Sequence, residues 1–128
     1  MPVEIDTTRV LCSLAELETT GSRGFAVGPG DWPLRGFLVK TSQGVRAYVN
    51  YCPHAGHPLN FRPDKFLTPD GHLILCCSHG ALFTKDGGEC IAGPCVGKSL
   101  TSIPVEVIGG FVMLGSGVDV EKLANELL

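Results

Sequence analysis

Two short cysteine–histidine pairs carry the chemistry open to this chain: Cys52-Pro53-His54 and Cys76-Cys77-Ser78-His79, the second followed by Gly80. Each pair offers one thiolate and one imidazole from a single loop. Ligands of this kind select zinc, iron–sulfur clusters or copper. A classical zinc finger sets two cysteines together and then two histidines; here each pair is mixed, and residues 55–75 lie between them. Mixed pairing suits two irons bridged by sulfides, which two finger-like loops approach from either side. The spacings Cys-x-His and Cys-x-x-His let both side chains of one loop point at the same cluster.

The flanking residues agree. Gly56 and Gly80 are expected to remove side chains where backbone comes close to sulfide. Backbone N–H groups turned toward sulfides and thiolates then stabilise the charge gained on reduction. Gly93-Pro94 lies downstream and is expected to form a third loop over the cluster.

The elements that must position these loops are short strands. The chain has 128 residues, one domain with a modest core. Hydrophobic residues make up 44% and charged residues 18%, which places it among folded globular proteins. Its 17 glycines and 9 prolines are spread evenly, as in proteins of many short strands and tight turns. A first strand is read at 9–12. Ser13 caps a single helical turn, Ala15-Glu16-Leu17. Apolar runs follow at 24–27, 36–40 and 45–50, with a hairpin turn at Ser42-Gln43-Gly44. Residues 73–76 lead into the second pair, and Asp86-Gly87-Gly88 joins 82–84 to 89–91. A last hairpin runs through 101–107 and 111–114 around Gly109-Gly110. At about 119–128, Val120, Leu123, Ala124 and Leu127 recur at helical spacing, so a short amphipathic helix capped by Asp119 is expected. It packs on the domain itself or against a second subunit, and the oligomeric state stays open.

Lys plus Arg number 10 and Asp plus Glu 13, a net charge of −3, which argues against nucleic acid and an anionic membrane as partners. No apolar run approaches the ~20 residues of a membrane span. The N-terminal residues carry neither the basic nor the apolar stretch of a secretion signal, so a cytoplasmic location is expected. Beyond Cys52 and Cys76 the cysteines are Cys12, Cys77, Cys90 and Cys95, expected as buried thiols rather than disulfides in a reducing compartment.

At this point the chain resembles the Rieske family, and specifically the soluble Rieske-type ferredoxins of bacterial oxygenase systems. The resemblance runs from about Arg9 to Leu114. It rests on Cys52-Pro53-His54-Ala55-Gly56-His57-Pro58-Leu59, on Cys76-Cys77-Ser78-His79-Gly80-Ala81-Leu82-Phe83, on Gly87-Gly88-Glu89 and on Gly93-Pro94. It implies an all-β fold of three stacked antiparallel sheets with two cluster-binding loops, about 51–60 and 76–83. It also implies a 2Fe–2S cluster with Cys52 and Cys76 on one iron and His54 and His79 on the other. The alternatives are a structural zinc site or no metal.

Two departures stand out. The stretch between the motifs is longer than in most such ferredoxins, and its extra residues, 61–71, read as a surface insertion. Cys77 stands where the family often has proline or a bulky residue; it is a packing thiol or makes the site oxidation-sensitive. Of the remaining histidines, His57 is expected to rim the cluster and His72 to be solvated, and Trp32-Pro33 to serve in packing.

The resemblance also bears on potential. The high-potential respiratory members carry a disulfide between the loops, whose cysteines would fall at His57 and Ser78. They also place a serine and a tyrosine hydroxyl where this chain has Ala81 and Phe83. Without those donors the reduced cluster is less stabilised, and a potential on the order of −150 mV is expected. That value suits a shuttle from a flavin reductase to an oxygenase, with no catalytic residues of its own. Two other roles compete. A catalytic oxygenase needs a second iron held by two histidines and a carboxylate, for which only His57 and His72 are free. A fixed small subunit, as in nitrite reductase, is the other, and many of those have lost cluster ligands that this chain retains.

Overall fold

The computed structural model describes residues 9–27, 34–52, 58–60, 64–77, 80–115 and 118. Among the described residues, nine strands and one helix are arranged as three antiparallel sheets of three strands each, in the orders β1-β9-β8, β2-β3-β4 and β5-β6-β7. The three-sheet, all-β architecture expected from the resemblance is therefore present. The expected helix at 119–128 and Trp32-Pro33 lie outside the described residues.

Strand β1 (Val10–Ser13) runs straight into α1 (Leu14–Thr20). Ser13 caps the helix: its Oγ accepts from the Glu16 N–H, and the Glu16 carboxylate accepts from the Ser13 N–H. The helix is longer than the single turn expected from Ala15-Glu16-Leu17. Thr19 and Thr20 are weak helix formers, but their hydroxyls donate to the Ala15 and Glu16 carbonyls. Leu17 is fully buried, and Gly21, in the left-handed region, closes the C-terminus by donating to the Leu17 carbonyl. Tertiary burial overrides propensity here.

The second sheet is a continuous meander of β2 (Ser22–Val27), β3 (Leu34–Thr41) and β4 (Gly44–Val49). Strand β3 is buried along most of its length because both faces are covered. Leu38 joins one core, with Leu17, Leu34, Ala47, Val112 and Leu114. Phe37 and Val39 join the other, with Tyr48, Phe66, Ile74 and Phe83. Burial holds the proton on the Tyr48 hydroxyl, which donates to the Lys85 carbonyl at 2.7 Å.

The last expected strand, 101–107, is split in two. Pro104 has no N–H and interrupts the ladder. Before it, Val49 donates to Thr101 O at 2.8 Å and Ile103 donates to Ala47 O at 2.9 Å, so residues 101–103 lie along β4. After it, β8 (Val105–Ile108) pairs with β9 (Phe111–Leu114). The proline thereby passes the chain from one sheet to another.

The small third sheet, β5 (Leu73–Leu75), β6 (Leu82–Thr84) and β7 (Cys90–Ala92), carries the second motif between β5 and β6. Of the expected surface insertion 61–71, the described part, residues 64–71, is built into the core instead. Phe66 is 1% exposed and stacks on Phe37 with ring centroids 4.4 Å apart. Ser22 Oγ donates to Asp64 O at 2.7 Å, and the Gly24 N–H donates to the Asp64 carboxylate at 2.8 Å. Leu75 donates to Phe66 O and Thr68 donates to Leu73 O, both at 2.9 Å, which adds a rung to the edge of the third sheet. Among the described residues of the stretch, Lys65, Pro69 and Asp70 are exposed. Hydrophilic neighbours hid one aromatic that the core needs.

Candidate metal centre

Strand β4 delivers the first motif and β5 the second. Cys52 and Cys76 are both fully buried. They share one apolar cluster with Leu59, Ala81, Phe83, Cys90 and Cys95. The two thiol positions that the sequence singled out, 24 residues apart (76 − 52), thus belong to one buried cluster of the core. His54 and His79 lie outside the described residues, as do Gly56 and His57.

Hydrogen bonds close each loop at its base. In the first, the Asn50 N–H donates to Arg35 O at 3.0 Å. The Asn50 side chain accepts from the Leu59 N–H at 2.8 Å and donates to Asn60 Oδ1 at 3.0 Å. One residue thus ties the start of the loop to its end. In the second, Cys76 donates to Ala81 O at 2.9 Å and Gly80 donates to Cys76 O at 3.0 Å. The loops are joined by a bond from the Cys77 N–H to Leu59 O at 2.8 Å. Cys77 itself is half-buried and stands outside the buried cluster.

The loop at Gly93-Pro94 lies against the second motif. Gly93 has φ +98°, and a Cβ there would lie 2.8 Å from the Ala81 Cα, so the backbone of this loop rests on the second motif. At Gly80 no described atom lies within 4 Å of where a Cβ would be, and its φ of +72° favours glycine. Tyr51, Pro58, Gly80 and Pro94 are exposed beside buried Cys52, Leu59, Ala81 and Cys95, so the loops turn an outward face to solvent. His72 is solvated as expected, its N–H donating to Asp70. Burial pushes the Cys95 thiol up to about 12, reinforced by its hydrogen bond to Cys90 and by the nearness of Cys52.

The donor set fits a cluster that takes sulfur ligands. Cys52 and Cys76 are fully buried in one cluster with Leu59, Ala81 and Phe83, none of which carries a side-chain hydroxyl. Asn50 was missed in the sequence because it sits at the end of an apolar run. A polar residue there, just before a ligand loop, is the signal that marks it. Asn50→Ala should leave the Leu59 N–H unpartnered, a cost of about 1–3 kcal/mol. Cluster loss to a chelator, followed by visible absorption, should accelerate ~10-fold. Asn50→Asp, which keeps the acceptor, should fall between.

The comparisons agree with this geometry. The family model described as the Rieske [2Fe-2S] domain matches residues 8–108. No match was found among curated proteins. Among solved structures, the ferredoxin of carbazole 1,9a-dioxygenase from Nocardioides aromaticivorans IC177 is 23% identical, with a TM-score of 0.64 over 83% of this chain and 94% of that one. A complex of reduced oxygenase and oxidized ferredoxin in carbazole 1,9a-dioxygenase matches at 23% identity and TM-score 0.63, over 83% of this chain and 99% of that one. The terminal oxygenase of carbazole 1,9a-dioxygenase from Novosphingobium sp. KA1 matches at 22% and 0.67, over 86% of this chain but 30% of that one. With both cysteines buried in one cluster and the family model covering residues 8–108, from β1 through β8, the chain belongs to the Rieske [2Fe-2S] domain family, whose cluster is held by cysteine and histidine.

Proposed function

We propose that this protein is an electron carrier, a low-potential Rieske ferredoxin working between a flavin reductase and an oxygenase, with residues 1–128 forming one domain. Cys52 and Cys76 would hold the cluster through sulfur, and His54 and His79 through nitrogen. The observation that carries the reading is the full burial of both cysteines in one side-chain cluster, with their loops tied together at Leu59. When bound, the cluster supplies reversible uptake of one electron.

The chain's own residues account for the rest. Leu59, Ala81 and Phe83 keep water from the cysteines, and Asn50 and the Gly80 and Cys77 N–H groups hold the loops in place. Ala81 and Phe83 bring no hydroxyl to stabilise added negative charge, which supports a low potential. The exposed loop face at Tyr51, Pro58 and Pro94 supports transient docking. The role of carrier is supported by the near-complete coverage of the two ferredoxin structures, against 30% of the oxygenase. Among the described residues no helix is long and apolar enough to cross a membrane, and a cytoplasmic location is part of this reading.

An EPR-monitored redox titration of anaerobically purified protein tests it. A Rieske-type signal is expected, with a midpoint on the order of −150 mV. A clearly positive midpoint would overturn the argument from Ala81 and Phe83. No signal, with zinc found by metal analysis, would overturn the carrier itself.

A further inference from the structure

Two thiols outside the candidate ligand set meet in the same buried cluster as Cys52 and Cys76. Cys90 opens β7 and Cys95 follows in the proline loop. Their Sγ atoms are 2.8 Å apart, the Cys95 thiol donating to Cys90, while the Cys90 thiol donates to Ala92 O at 3.3 Å. That is inside van der Waals contact for two sulfurs, and a bond at ~2.0 Å needs a shift of less than an ångström. Both side chains are buried, Cys90 at 5% and Cys95 at 1% exposure.

The loop itself enforces the approach. Cys90 donates to Lys98 O at 3.0 Å, and Lys98 donates to Cys95 O at 2.9 Å, so the segment is closed on its own backbone. Its Gly93 rests on Ala81 of the second motif, 2.8 Å from Cβ position to Cα. Whatever stiffens residues 90–98 therefore stiffens the cover of the pocket that holds Cys52 and Cys76.

We propose that Cys90 and Cys95 are a redox-active pair, whose disulfide locks the proline loop onto the second cluster loop and whose reduction releases it. The oxidant is a low-molecular-weight disulfide such as oxidised glutathione. One protein thiolate attacks it, giving a mixed disulfide and one glutathione; the second protein thiol displaces the other. One protein S–S bond forms, the glutathione S–S bond breaks, and the two thiol protons and two electrons leave on two glutathione molecules. The exposed residues Val96 and Gly97 at the loop's outer edge are where it would open to admit the reagent. This pairing differs from the loop-to-loop disulfide of the respiratory members, whose positions here are His57 and Ser78.

The test uses the intact holoprotein, incubated with oxidised glutathione or with dithiothreitol, quenched in acid, alkylated with N-ethylmaleimide and digested with trypsin. Both cysteines fall in one peptide, 86–98. Its mass should be two hydrogens below the unmodified value and carry no label in the oxidised arm, and it should be doubly labelled in the reduced arm. Double labelling in both arms, a lasting glutathione adduct, or a cross-link from either cysteine to Cys12 or Cys77 would overturn the pair. The lock, which rests on the cluster reading, is read separately as loss of visible absorption to a chelator. Severalfold slower loss in the oxidised arm supports it, and equal rates would overturn it. The peptide result stands whatever metal is bound, so failure of the pair and failure of the cluster reading give different outcomes.

Discussion

Cys76→Ser should yield a folded protein without its cluster: no visible absorption, no EPR signal, and iron and acid-labile sulfide at background. A serine oxygen is a poor match for a site that selects soft thiolate ligands. It also leaves a hydroxyl in a fully buried, apolar pocket. Second-sphere changes in metal sites cost ~10–100-fold in affinity, and loss of a direct ligand exceeds that. Cys52→Ser should behave alike, since Cys52 is equally buried in the same cluster of side chains. Cys12→Ser is the control. That thiol lies in the other core, with Leu17 and Val112, and its removal should leave iron content unchanged. Far-UV circular dichroism would confirm that each variant folds. Full iron and sulfide in Cys76→Ser would remove this residue from the ligand set.

Phe66→Ala should be the most destabilising single change outside the motifs, by about 3–5 kcal/mol, because a buried aromatic is replaced by a cavity. The stack on Phe37, with planes 6° apart, is lost with it. A true surface insertion would tolerate the change within about 0.5 kcal/mol. Urea denaturation followed by circular dichroism decides between the two, with exposed Lys65→Ala as the comparison. Phe66 shares the core cluster with Cys52 and Cys76, so the cavity should also shorten the cluster's lifetime. A cost below that of Lys65→Ala would mean that Phe66 does not hold the third sheet against the second.

Local patterns were legible because their causes are local. The ligand pairs are contiguous, and loop chemistry depends on residues one to four positions apart. Alternation and turn residues marked every strand of the three sheets to within a few positions. The Ser13 cap and the turns at 42–44 and 86–88 were readable for the same reason. Where sequence reading went astray, the cause was distant in the chain. The polar stretch around Phe66 looks like surface until β2 supplies Ser22 and Gly24 as partners and Phe37 as a stacking face. The run 101–107 looks like one strand until β4 claims its first half and Pro104 ends the ladder. Asn50 has no visible role until Leu59 and Asn60 return to meet it.

The chain alone therefore carried the motifs on which the family resemblance rests, the four residues to be tested as ligands and, through that resemblance, the expectation of an all-β class, because motifs are matters of residue type and short spacing. Tertiary structure decided which residues close the pocket, which glycine rests on Ala81, and that Cys90 and Cys95 meet thiol to thiol. Those depend on how strands and loops fold back on one another, and contacts of that kind leave no periodic trace in a single sequence.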